Sequence, residues 1–132
     1  MSIRSSHESR RRKLIGITHQ QHCRDLILEY YPELQPDDVI STPPSVHGAD
    51  LTLSPKAKKI LGNPSYEMKA DKRGFKGVYN AVAQARRQAQ TDENPMVVLT
   101  DHSDETAKTL LVLDFEAWLS ISRLFYLKSR ED

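Results

Sequence analysis

The sequence holds one cysteine, Cys23, so neither an internal disulfide nor a thiolate metal cluster can form within it, and a reducing cytoplasm is the expected compartment. It has no apolar run approaching the roughly eighteen residues that a membrane span needs. The basic opening, MSIRSSHESRRRK, lacks the apolar core of a secretory signal, which argues against export. Glycine is scarce, with five residues, and no glycine-rich phosphate loop or nucleotide-binding motif occurs. Internal repeats and low-complexity tracts are also missing.

What is present suits one compact domain: 132 residues, 38% hydrophobic and 28% charged. A chain this small gains from dimerisation. Net charge is only +1, yet the charges are segregated. Residues 1–13 carry Arg4, Arg10, Arg11, Arg12 and Lys13 against Glu8 alone. Residues 56–87 carry nine basic side chains, among them Lys56, Lys58, Lys59, Lys72, Arg73 and Lys76, against Glu67 and Asp71. Such a chain can turn one cationic face to phosphates, and a solvated surface with chance clustering is the plain alternative.

Periodicity outlines the fold. Residues 18–31 read as a helix, with Thr18 and Gln21 as a capping box, Pro32 as the stop, and Cys23, Leu26, Ile27 and Tyr30 as its apolar stripe. The polar residues before it form a basic arm over 1–13 that frays or extends the helix, with Gly16 as a weak point. A short strand over 39–41 follows. Residues 49–53 alternate, with Leu51 and Leu53 on one face and Asp50 and Thr52 on the other. Ser54-Pro55 opens a helical turn that Gly62 ends. Residues 65–69 alternate again, with Tyr66 and Met68 opposite Glu67 and Lys69. A helix over 77–90, with Val78, Val82, Ala85 and Ala89 inward, precedes strands over 96–100 and 108–113. Asp114 then caps a last helix with Phe115, Trp118, Leu119 and Ser122 inward. The expected architecture is an α/β domain over 14–127 with a central mixed sheet flanked by helices, and a tail over 128–132.

Asp50 and Glu67 fall on strands that would be neighbours, and Lys69 leaves the same face as Glu67. Two carboxylates with open positions suit Mg²⁺ or Mn²⁺, which take hard oxygen ligands and retain waters. A lysine beside them can orient the attacking water or offset charge in the transition state. On spacing alone, a Glu-x-Lys pair is more often a solvated pair on a sheet surface.

In their order, Gly48-Ala49-Asp50, Ser54-Pro55, Glu67-Met68-Lys69, Gln84-Ala85, Val97-Val98-Leu99 and Leu111-Val112-Leu113-Asp114 resemble the PD-(D/E)xK nucleases. The chain looks most similar to their small Holliday-junction-resolvase-like branch and to phage-type endonucleases of this size. The resemblance spans residues 18–120. It implies a restriction-endonuclease-like core and a metal held by Asp50, Glu67 and the Met68 carbonyl. It also implies Lys69 as the catalytic lysine and Gln84 as a supporting helix residue. Many relatives carry a metal-associated glutamate on the first helix; here His19-Gln20-Gln21-His22 stands in that place, so Gln20 or Gln21 is the corresponding support. His47, beside Asp50, is a further candidate for the phosphate or the metal shell. The expected activity is hydrolysis of branched DNA by a homodimer. Alternatives are a nicking or restriction-like nuclease on the same fold, or a DNA-binding module without catalysis.

Overall fold

The computed structural model describes residues 3–43, 46–70, 74–103, 105, 106 and 108–131, with only the helical backbone described for 3–9, 12 and 13. The chain mixes helices and strands, as expected for its class. Its elements are α1 (Ile3–Tyr30), a single 3₁₀ turn (Pro36–Asp38), β1 (Val39–Ser41), β2 (Leu51–Leu53) and α2 (Pro55–Leu61), followed by α3 (Lys76–Gln88), β3 (Val97–Leu99), β4 (Leu110–Val112) and α4 (Phe115–Ser129). No helix among the described residues is long and apolar enough to cross a membrane. The chain divides into two compact units, the first Met1–Ala70 with Ser122–Asp132, the second Asp71–Ile121.

In the first unit, α1 begins far earlier than the Thr18 cap predicts. Residues 3–17 contain no proline and are rich in arginine, a good helix former, so the helix propagates through them. It carries Gly16 at a cost of about 1 kcal/mol. The basic arm expected over residues 1–13 is therefore, from Ile3 on, the start of this helix. The capping side chain of Thr18 is not needed where the chain is already helical. The inner stripe is largely as expected: Cys23 and Ile27 are buried, and Tyr31, just past the helix end, is wholly buried.

β1 and β2 pair antiparallel, with Val39 opposite Leu53 and Ser41 opposite Leu51. Val39, Leu51 and Leu53 face the core, while Ile40 and Thr52 face out. Arg24 ties α1 to this hairpin, donating from Nε to the Val39 carbonyl (2.7 Å) and from Nη2 to the Pro36 carbonyl (3.2 Å). α2 opens on Ser54, whose hydroxyl accepts from the Ala57 N–H (3.0 Å) and donates to Asp38 (2.6 Å). It closes on Gly62 at φ 85°, a left-handed cap that favours glycine.

The end of α4 joins this unit through a polar lock. Arg123 donates both Nη atoms to the Glu33 carboxylate at 2.8 Å and lies 5.5 Å from the centre of the Tyr31 ring. The Tyr31 and Ser122 hydroxyls meet at 2.7 Å. Parallel bonds of this kind combine charge with fixed geometry. They hold the Glu33 carboxyl well below its ordinary 4.5, at about 2.

In the second unit, α3 buries Val82, and Val78, Ala85 and Ala89, the rest of the expected inner stripe, are half-buried. β3 and β4 pair antiparallel with Val98 opposite Leu111. Both of these are more than half exposed, so β3 is not the buried strand its apolar run suggests. Trp118, expected inward, is 43% exposed, whereas its neighbour Leu119 is wholly buried. On a helix these adjacent residues point about 100° apart, and Leu119 takes the inner position. Among the described residues the strands thus form two separate two-stranded sheets in place of one central mixed sheet. Residues 65–69 meet Asp50, the residue before β2, without forming a ladder.

The Glu33–Arg123 lock makes stability acid-sensitive. Folded, Glu33 keeps its charge down to about pH 2; unfolded, it protonates near 4.5. Its contribution is therefore complete above pH 4.5 and is lost as pH falls from there toward 2. Glu33→Gln should cost about 1–2 kcal/mol at neutral pH and flatten the decline of the unfolding midpoint over that window. Urea unfolding across pH 2–6 checks this, and parallel curves for the two proteins would exclude it.

Candidate active site

The candidate site forms where β2 begins. Thr42, just past β1, donates its N–H to the Asp50 carbonyl (2.9 Å), which extends the hairpin by one rung. The buried Thr42 hydroxyl donates to the Ala49 carbonyl (2.7 Å) and meets the Thr52 hydroxyl at 2.8 Å. These bonds clamp the base of the turn that carries His47 and Gly48. Gly48 sits at φ 131°, a conformation that side chains rarely adopt. Asp50 thereby falls on the outward face with Thr52, as the alternation predicts.

Asp50 also organises the segment 64–70. Its N–H donates to the Tyr66 carbonyl (2.9 Å), and its Oδ2 accepts from the Met68 N–H (2.5 Å). The expected neighbour relation between the two segments is present, but through one main-chain bond and one carboxylate bond. Residues 65–69 are extended, with Tyr66 and Met68 half-buried and Glu67 and Lys69 exposed, the alternation read from the sequence. Burial pushes the Tyr66 phenol up to about 12, with the neighbouring Tyr31 and Cys23 adding to the rise. That ring anchors the segment and leaves the flanking Glu67 and Lys69 in water.

Glu67 and Lys69 form an ion pair at 3.1 Å, with side chains about two-thirds exposed. Asp50, Glu67, Met68 and Lys69 are thus drawn into one short stretch of surface. Gln20 approaches the same region from α1: its Oε1 accepts from the Ser41 hydroxyl (2.9 Å), and Ser41 pairs with Leu51, the residue after Asp50. Gln21 and His47 are exposed.

The cationic candidates scatter more widely. Arg11 is exposed on α1. Lys58 and Lys59 are exposed on α2, and Lys56 donates to the Glu33 carbonyl (2.6 Å), which adds charge near the C-terminal end of α1. Lys76 and Gln84 lie on α3 in the second unit, both exposed; Gln84 points away from the face that buries Val82. Lys72 and Arg73, and the side chains of Arg12 and Lys13, lie outside the described residues.

The donor set decides which cation would fit. Among the described residues no three His, Cys, Asp or Glu side chains cluster as a metal cage. Of the expected donors, Glu67 is exposed and Asp50 and Met68 are half-buried; carboxylates with open positions are the donor chemistry that Mg²⁺ takes, with several waters kept. The Met68 N–H occupies one lone pair of the Asp50 carboxylate, which has further acceptor capacity.

The architecture missed by sequence reasoning is the dependence on Asp50 as a structural acceptor and on Thr42 as the clamp. A threonine before a double proline carries no periodic signal. Asp50→Ala should release segment 64–70 and cost about 1–3 kcal/mol, the range for losing a hydrogen bond to a charged acceptor. Asp50→Asn keeps an acceptor oxygen and should cost less. Urea unfolding of both variants distinguishes them, and unchanged midpoints would show that the Met68 bond holds nothing.

No protein-family model matches this sequence, and comparison with curated proteins and with solved structures finds no match, so the residues themselves carry the functional reading.

Proposed function

We propose that the chain is a Mg²⁺- or Mn²⁺-dependent DNA endonuclease acting as a homodimer on branched or otherwise structured DNA. The observation that carries this reading is the Asp50 carboxylate seated against the main chain of the Glu67-Met68-Lys69 segment. Asp50, Glu67 and the Met68 carbonyl would hold the metal, with Gln20 supporting the β1–β2 end. The metal would supply Lewis-acid polarisation of the scissile phosphate and neutralise part of its charge.

The chain's own groups do the rest. Lys69, paired with Glu67, would lie beside a phosphate bound at this surface. Its ammonium would donate to the oxygen on which charge accumulates. Exposure of the site leaves room for a phosphodiester and an attacking water, and the exposed Arg11, Lys58 and Lys59 of the same unit offer phosphate contacts that carry affinity without base information. A two-fold dimer would present two such sites to symmetric strands.

The exposed Glu67–Lys69 pair also supports a second reading, a DNA-binding module that no longer cuts. Labelled linear, flap and four-way-junction DNA, incubated with and without Mg²⁺ or Mn²⁺, separates the two. Metal-dependent cutting that favours branched DNA is the expected result. Asp50→Asn and Glu67→Gln should abolish it. Lys69→Met should bind DNA like the parent and cut about a hundredfold more slowly, the scale of one lost transition-state contact. Cutting by all three variants at the parental rate would remove these residues from catalysis.

A further inference from the structure

α1 lines up Arg11, Leu14, Ile15, Thr18, His19 and His22 on one face, at the 3- and 4-residue spacing of a helical stripe. The last five, with Ala70, line an open groove of about 410 Å³ within the first unit. The volume lies inside the range of small-ligand clefts, roughly 300–1,000 Å³. Leu14 is 64% exposed, an unusual place for a leucine on a helix otherwise rich in charge.

Three features of the groove restrict what it can take. Leu14, Ile15 and Ala70 give it an apolar lining. His19 and His22 add two flat rings with hydrogen-bonding edges, and rings of this kind stack on nucleobases. Its approach along α1 is cationic: Arg11 lies one turn before Ile15, and residues 10–22 contain no acidic side chain. An aliphatic ligand would leave Arg11 unused, and a bare phosphate would leave the apolar lining uncovered. A flat, partly apolar ring joined to an anion uses both.

We infer that this groove receives an unpaired nucleobase of the DNA, with the attached phosphate toward Arg11. The inference rests on the nuclease reading above and narrows its substrate. Bases are unstacked at branch points and strand ends, so the groove would select such structures over continuous duplex, whose bases remain in the helix.

The test uses the full chain without divalent metal. Binding of a short oligothymidylate is compared with binding of an abasic oligomer of equal phosphate number, by fluorescence anisotropy at fixed salt. The intact oligomer should bind about tenfold more tightly, within the range of base–aromatic stacking. His22→Ala, an exposed position that leaves the core untouched, should bring the intact oligomer down to abasic affinity. Arg11→Ala should weaken both oligomers alike. Equal binding of the two oligomers by the parent, or a base preference that survives His22→Ala and Leu14→Ser, overturns the inference. Junction cleavage with Mg²⁺ is measured alongside. A chain that cuts junctions but ignores the base loses this inference alone, and one that neither binds nor cuts loses the nuclease reading with it.

Discussion

The Asp50 carboxylate accepts the Met68 N–H, and the Asp50 main chain bonds Tyr66 on one side and Thr42 on the other. One residue therefore joins the β1–β2 hairpin to the segment that carries Glu67 and Lys69. Everything proposed for the site depends on this junction. The carboxylate would serve two demands, holding a neighbouring main chain and leaving lone pairs for a cation, and an aspartate meets both because it accepts several hydrogen bonds at once. The Thr42 clamp and the left-handed Gly48 set the turn that delivers Asp50 to that position.

The surrounding frame divides labour between apolar and polar contacts. Ile27, Tyr31, Val39, Leu51 and Leu53 supply burial, which is favourable but not directional. Arg24 on the Val39 carbonyl, Ser54 on Asp38 and Arg123 on Glu33 supply direction. Each of these polar contacts meets a specific main-chain or carboxylate acceptor, so the register of α1, the hairpin and α2 is defined. Tyr66 brings the same economy to the site: its buried ring faces inward, which keeps Glu67 and Lys69 at the solvent boundary where a phosphate could reach them.

The second unit is built differently. Among the described residues its buried apolar side chains are Val82 and Leu119, while Val98, Leu110 and Leu111 remain more than half exposed. A two-stranded sheet has too little surface to bury both of its faces, and isolated pairs of strands are marginal in water. The β3–β4 pair is thus an apolar run that local pattern marks as core and that the tertiary structure leaves open.

Local features were legible in the sequence because they depend on neighbours along the chain. The Ser54 cap, the Gly62 stop, the alternation at residues 49–53 and 65–69 and the inner stripe of α3 all follow from side-chain period and backbone preference. The approach of Glu67 and Lys69 to Asp50 was legible only as two short alternating segments whose pairing the chain pattern leaves open. Tertiary structure decided what spacing cannot carry. It set the true start of α1, since a capping signal is silent inside a continuing helix. It showed that residues 65–69 join Asp50 by a carboxylate bond without a ladder, and that Trp118 yields the inner position to Leu119. It also left Gln84 on the outer face of α3, where a motif alone had suggested an inward role. In each case two segments far apart in the chain, or two residues side by side, compete for one place, and only the packed structure sets the free energies that decide between them.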